Sequence, residues 1–265
     1  MRIASLVTIV MAITASVVDV PVAAASAQSF CVELGGDWDS QYCHSTVVSE
    51  RRAVRDIKVA IPGDLVDNAA TGQVIGDYLR HLVNNWRTKA VSMVQDSWGE
   101  ENYQVFTHGS VLGVAFHEDY HADGPWINTA YRTFTFNMAS GTRLQLSDIT
   151  QAGIDPLVAI PPLAQPFIQD ALDRAGWQHA PGTYPFTVDR WTPDKVFSGG
   201  YHAWVLTPDE LILYMPDYPV GHDSPIQYGQ SEQWSMDGGT VEAHIPLSAL
   251  SSVLRPQFNA TRPAP

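Results

Sequence analysis

Cysteine is scarce, with 2 in 265 residues, too few for a four-cysteine zinc site. Basic residues are scarce as well: 15 Lys and Arg against 28 Asp and Glu give a formal net charge of −13. That deficit argues against nucleic acid as a partner, because phosphate binding draws on Lys and Arg. It argues equally against electrostatic docking on anionic lipid. Charged residues of both signs reach only 16%, while 45% are hydrophobic, a balance that supports a packed core and excludes a disordered chain. Beyond the N-terminus no apolar run is long enough to span a bilayer. Nothing in the composition implies a cofactor or a metal site.

The N-terminus sets the compartment. Arg2 precedes an apolar stretch from Ile3 to Val18, which breaks at Asp19 and Pro21. Ala25-Ser26-Ala27 then fits the small-residue cleavage rule of a secretory signal. The reading is a signal peptide at 1–27, one α+β domain at 28–254 and a disordered tail at 255–265. Removing Arg2 and Asp19 together leaves the charge at −13. Outside the cytosol, Cys31 and Cys43 are expected to pair. A disulfide closing a loop of about 13 residues would stabilise the fold by about 3 kcal/mol in the chain-entropy model.

Periodicity divides the rest. Val54 to Ile61 reads as a strand ended by Pro62-Gly63. From Ala70 to Val94 the apolar residues recur at steps of three and four, which predicts a long amphipathic helix with Asp67, Asn68 or Thr71 as cap. Tyr103 to Phe116 reads as one or two strands. Ala130 to Asn137 alternates as a strand should, before a turn at Met138 to Gly141 and a short strand near Arg143–Leu146. Phe167 to Ala175 reads as a helix; the three prolines before it argue against an earlier start. Gly182 to Gly200 and Asp217 to Gly239 are loop-like. Tyr201–Leu206, Leu211–Tyr214 and Thr240–Ile245 read as strands, and Pro246 opens a short helix. This order is α+β, with an antiparallel or mixed sheet packed by one long helix and one or two shorter ones.

Several blocks carry a family resemblance. Phe30-Cys31-Val32-Glu33-Leu34 followed by Cys43 resembles the start of the secreted mycobacterial immunogenic proteins of the MPT-sixty-four kind. The run Ala130-Tyr131-Arg132-Thr133-Phe134-Thr135-Phe136-Asn137 resembles a later block of that family. So do Gly141-Thr142, Leu146-Ser147-Asp148, Phe167–Leu172, Trp204–Thr207 and Ile245–Leu250. A similar domain ends the RsiV-type anti-sigma receptors, which sense lysozyme by binding it. The resemblance implies an α+β fold with β-grasp-like features and no established catalytic residues. Where many relatives have a Gly-Gly-x-His-Pro turn, this chain reads Asp123-Gly124-Pro125-Trp126-Ile127, so no role tied to that histidine carries over.

Catalytic signals are poor. His117-Glu118-Asp119-Tyr120-His121 fits H-E-x-x-H, but that motif joins two imidazoles at one zinc only on a helix. The sequence around it reads as a strand, where residues four apart stand about 13 Å from each other at ~3.3 Å per residue. Ser198, with Gly199-Gly200, His202 and Asp209 nearby, sketches an esterase, the alternative function. His108-Gly109-Ser110-Val111-Leu112-Gly113 is not a nucleophile elbow. Carboxylate pairs such as Asp37 with Asp39 are unplaced.

The tryptophans favour binding. Trp86 and Trp204 fall in regular elements and read as core. Trp38, Trp126, Trp191 and Trp234 fall in polar, loop-like segments, where an indole can stack on a sugar ring while neighbouring polar groups bond its hydroxyls. Gly35-Gly36-Asp37-Trp38 also resembles a short motif of secreted mycobacterial proteins named as mannan-binding. The expected function is therefore non-catalytic binding at the cell envelope or outside the cell. The partner would be a wall glycan or mannan, or a basic protein that complements the acidic charge.

Overall fold

A computed structural model of the chain describes residues 22–121, 128–175, 188–215 and 241–259. The elements run α1 (Val22–Glu33), β1 (Asp37–Trp38), β2 (Tyr42–Val48), β3 (Val54–Ala60), α2 (Gly63–Val66) and α3 (Gly72–Ala90). Next come β4 (Ser97–His108), β5 (Val111–His121), β6 (Asn128–Asn137), β7 (Thr142–Arg143), α4 (Leu146–Ile149) and α5 (Pro156–Ala175). Two 3-10 segments, Val188–Trp191 and Val196–Tyr201, lead to β8 (Trp204–Leu206), β9 (Glu210–Met215) and β10 (Val241–Pro246). Strands β1 to β7 form one seven-stranded sheet in chain order, and β10-β9-β8 form a second, three-stranded sheet. Every pairing is antiparallel except β3 with β4, which is parallel. A parallel pair needs a crossover, and α3 supplies it. The fold is α+β, as the element order predicts.

The layers follow from the two faces of each strand. Helix α3 turns Ile75, Leu79, Leu82, Val83 and Trp86 onto Ile57, Val59, Val114, Phe116 and Phe136 of the large sheet. On the opposite face, Ala115 packs with Val205, Ile212 and Tyr214 of the small sheet. The sheets come close because position 113 is glycine: a Cβ there would stand 3.1 Å from Val205. Thr133 accepts the Trp204 backbone N–H at 2.8 Å, and Thr135 donates to the Trp204 carbonyl at 3.1 Å. Outermost, α5 lays Ile160, Ala164, Ile168 and Leu172 on Leu211, Leu213, Ala243 and Ile245. The order is helix, sheet, sheet, helix.

Helix α5 starts earlier than the sequence suggests. It contains Pro161, Pro162 and Pro166, each costing about 3 kcal/mol in a helix interior. Its buried stripe from Ile160 to Leu172 offsets much of that penalty, since burying one large aliphatic side chain contributes about 1.5–3 kcal/mol. The chain after Leu254 is also tied down as far as the 3-10 turn Pro256–Phe258, where Phe258 is buried. There Arg255 donates its backbone N–H to the Ile149 carbonyl at 2.9 Å and its Nε to the Thr150 carbonyl at 2.6 Å. Residues 1–21, which hold most of the expected signal segment, lie outside the described residues.

Candidate functional site

Cys31 and Cys43 form a disulfide that ties α1 to β2. Gly36 passes directly over it; a Cβ at that position would stand 2.5 Å from the Cys43 sulfur and 2.7 Å from the His44 carbonyl. This brings Trp38 onto β1, paired in register with Cys43. The turn that follows is built by Asp39. Its Oδ1 accepts the backbone N–H groups of Tyr42 at 2.6 Å and Gln41 at 2.8 Å, and its Oδ2 lies 2.7 Å from His44 Nε2. Those backbone donors, with His44 adding to them, lower the Asp39 carboxyl to about 2. Ser40, at the tip, has a φ of +87°, a conformation a non-glycine residue adopts at some cost.

Trp38 is half-buried against the α3-side core. It lines a groove of about 650 Å³ with Ser40, Gln41, Pro62, Asp64, Tyr103 and Leu112 among its walls. That volume lies in the ~300–1,000 Å³ range of small-molecule sites. Trp38 and Tyr103 are the aromatic walls; Asp64, Gln41 and Ser40 are the polar rim. Burial, with the Asp64 charge adding to it, holds the Tyr103 phenol neutral by raising its pKa. The groove therefore offers two aromatic side chains, a neutral phenol, an amide and a carboxylate.

One rung along the same strands lies a buried acid pair. Glu101 and Glu118 face each other across β4 and β5, and Tyr78 Oη lies 3.1 Å from one and 3.0 Å from the other. Arg132 Nε stands 3.3 Å from Glu118. Glu101 is fully buried. Burial, reinforced by Glu118, raises its pKa well above the usual carboxylate range.

The structure sorts the four loop tryptophans differently from their sequence context. Trp38 reaches a groove. Trp191 does not: it is 0% exposed in the core of α5 and the small sheet. The polar segment around it winds into a 3-10 turn that points the indole inward, where a ring this large contributes most by burial. Trp126 and Trp234 lie outside the described residues. Trp86 and Trp204 are core, as expected. Tyr103 and Asp64 escape the sequence reading because they join Trp38 only through tertiary packing. The odd-numbered alternation of β4 is the one local signal that Tyr103 shares the α3 face.

Neither catalytic motif assembles. The H-E-x-x-H run lies on β5, and its histidines serve different rings: His117 stacks on Tyr131 and His121 on Trp98. Ser198 is buried, donating its hydroxyl to the Lys195 carbonyl at 2.8 Å and accepting the Gly200 N–H at 3.0 Å, while His202 is exposed. That serine holds a turn together.

Fold and groove define a two-sheet α+β protein with an aromatic-walled groove. Residues 147–248 match the family model described as a protein of unknown function, DUF3298. Residues 21–57, which hold the disulfide, Trp38 and the Asp39 turn, match the model described as mannan-binding protein. A crystal structure of a DUF3298 family protein from Pseudomonas aeruginosa PAO1 shares the fold at 13% identity, with a TM-score of 0.50 over 84% of this chain and 96% of that one. A DUF3298 family member from Bacteroides fragilis aligns at 13% identity and a TM-score of 0.47, over 82% of this chain and 92% of its own. No curated protein matches the chain.

Proposed function

We propose that this is a secreted protein that binds mannose-type glycans in the groove between Trp38 and Tyr103. The observation that carries the reading is the position of Trp38. It lies in the segment similar to mannan-binding proteins and lines a groove with hydroxyl partners beside it. In this reading a pyranose ring lays its C–H face on the Trp38 indole, and its hydroxyls donate to Asp64 and exchange hydrogen bonds with Gln41, Ser40 and Tyr103. Secretion belongs to the same proposal: residues 1–27 are a cleaved signal and 28–254 the working domain. The disulfide and the apolar N-terminal run support it. A kinship with the secreted mycobacterial immunogenic proteins is the finer form of this reading, and it rests on the ordered sequence blocks alone.

Isothermal titration of the oxidised protein with yeast mannan tests the reading. Binding should be measurable and should weaken on the order of tenfold or more in Trp38→Ala, the loss of one stacked aromatic with its apolar contact. Asp64→Asn should weaken it less. No heat with mannan, from protein whose thiols are all oxidised, overturns the proposal.

A further inference from the structure

The large sheet has a second recess on its other face. The small sheet covers β5 and β6, where Gly113 meets Val205 and Tyr131 stacks on Tyr214 at 4.5 Å. Toward β3 and β4 the face is lined instead by a recess of about 530 Å³, whose walls include Asp56, Lys58, Asp96, Trp98, Glu100 and His121. Register places these groups side by side: Asp56 beside Trp98, Lys58 beside Glu100, and Trp98 opposite His121. The Trp98 and His121 rings lie within 11° of parallel, 6.1 Å between centroids, and both are half-exposed. Asp96 accepts the Val54 N–H at 2.7 Å, and Glu100 accepts from Asn102 at 3.0 Å. Among the described residues, Asp56 and Lys58 form no ion pair.

Resting on the glycan-binding reading above, we propose that this recess is a second sugar site, with Trp98 as its stacking platform. The charges select the ligand class. The carboxylates of Asp56, Asp96 and Glu100 oppose an anion, and the Lys58 ammonium beside Glu100 offsets part of their pull on a cation. A neutral polyol meets both, accepting from Lys58 and donating to Asp56 and Glu100, with its apolar face on the indole. Strand β4 serves both sites, sending Tyr103 to one face and Trp98 with Glu100 to the other. One chain thereby holds two sugars on opposite sides of a sheet. Such a geometry bridges separate branches of a polyvalent glycan and raises avidity without any new contact.

Titration with a soluble mannotriose, read as stoichiometry, tests this. The expected result is two sites in the unmodified protein, one in Trp98→Ala, one in Trp38→Ala and none in the double variant. Loss at the second site should be on the order of tenfold or more in affinity. Lys58→Met, a half-exposed position that leaves the sheet intact, should weaken that same site. A stoichiometry of one that Trp98→Ala and Lys58→Met both leave unchanged overturns the second site and leaves the Trp38 groove standing. Binding of tri-lysine in place of the sugar, lost in Trp98→Ala, also overturns it. No mannotriose bound by the unmodified protein sinks both readings.

Discussion

The Glu101–Tyr78–Glu118 chain makes the stability of this protein depend on a buried proton. A phenol has one hydrogen and cannot donate to two carboxylates. Tyr78 lies within hydrogen-bond distance of both, and Arg132 faces Glu118. The arrangement that links all three groups has Glu101 protonated and donating to Tyr78 Oη, while Tyr78 donates to Glu118. Burial drives the same outcome by raising the Glu101 pKa well above its ordinary value of 4.5. Unfolded, Glu101 releases its proton near that ordinary value; folded, it keeps it to higher pH. Between the two values the native state binds one more proton, so stability falls by about 1.4 kcal/mol per pH unit as pH rises. Its contribution is complete below the ordinary value and is lost as pH climbs through the raised one. Glu101→Gln replaces the acid with an amide that donates to Tyr78 in the same way and does not titrate. Urea unfolding of both proteins from about pH 5 upward should then show the variant gaining on the parent, at a slope of up to about 1.4 kcal/mol per pH unit inside the window. Titrating groups distant from Glu101 cancel in the difference. Curves that run parallel over that range refute the reasoning.

Two further substitutions test the scaffold. Gly36→Ala would drive a methyl group into the Cys43 sulfur and the His44 carbonyl. It should cost about 1–3 kcal/mol by overpacking, or expose free thiols to a thiol reagent if the disulfide fails to close. Arg52, exposed at the β2–β3 turn, has a φ of +68°, and Arg52→Gly should stabilise by about 1 kcal/mol in denaturant titration; a loss of that size would show that the guanidinium carries a stabilising role of its own.

What the sequence made legible tracks how local each signal is. The α3 stripe, the alternation of β6 and the turn ending in Gly141, with its φ of +68°, are all periodic or turn-coded, and the structure has them. The β1–β2 hairpin is missing from the sequence reading because β1 has only two residues and the apolar residues of β2 do not alternate. A disulfide and the Asp39 carboxylate hold them in place, with no hydrophobic repeat. Helix α5 is cut short in the reading because three prolines outweigh, locally, a stripe whose value appears only against the small sheet. The site divides in the same way. Trp38 stands out for its context, whereas Tyr103, Asp64 and the Trp98–His121 pair become visible only when register sets strands side by side. Trp191 shows the reverse, since a polar neighbourhood in sequence says little about which way one indole turns.

The single parallel pairing divides the large sheet into two local meanders, β1–β3 and β4–β7. They meet along one ladder, Arg55–Val59 against Ser97–Glu101. Each meander closes through short connections and can assemble quickly, whereas the ladder between them must wait for the chain through α3 to return. The ladder is fastened from one side. There Arg55 donates to the Trp86 carbonyl and Ser97, and Trp86 fits over Gly99 so closely that a Cβ would stand 2.7 Å from its ring. Amide protons along this ladder should therefore exchange together, as one cooperative unit opening when α3 lifts, and the two meanders should protect their own hydrogens to a different degree. Both recesses draw walls from each side of that line, so a glycan bound as proposed would act as a clasp on the joint, and slower exchange there would report occupancy.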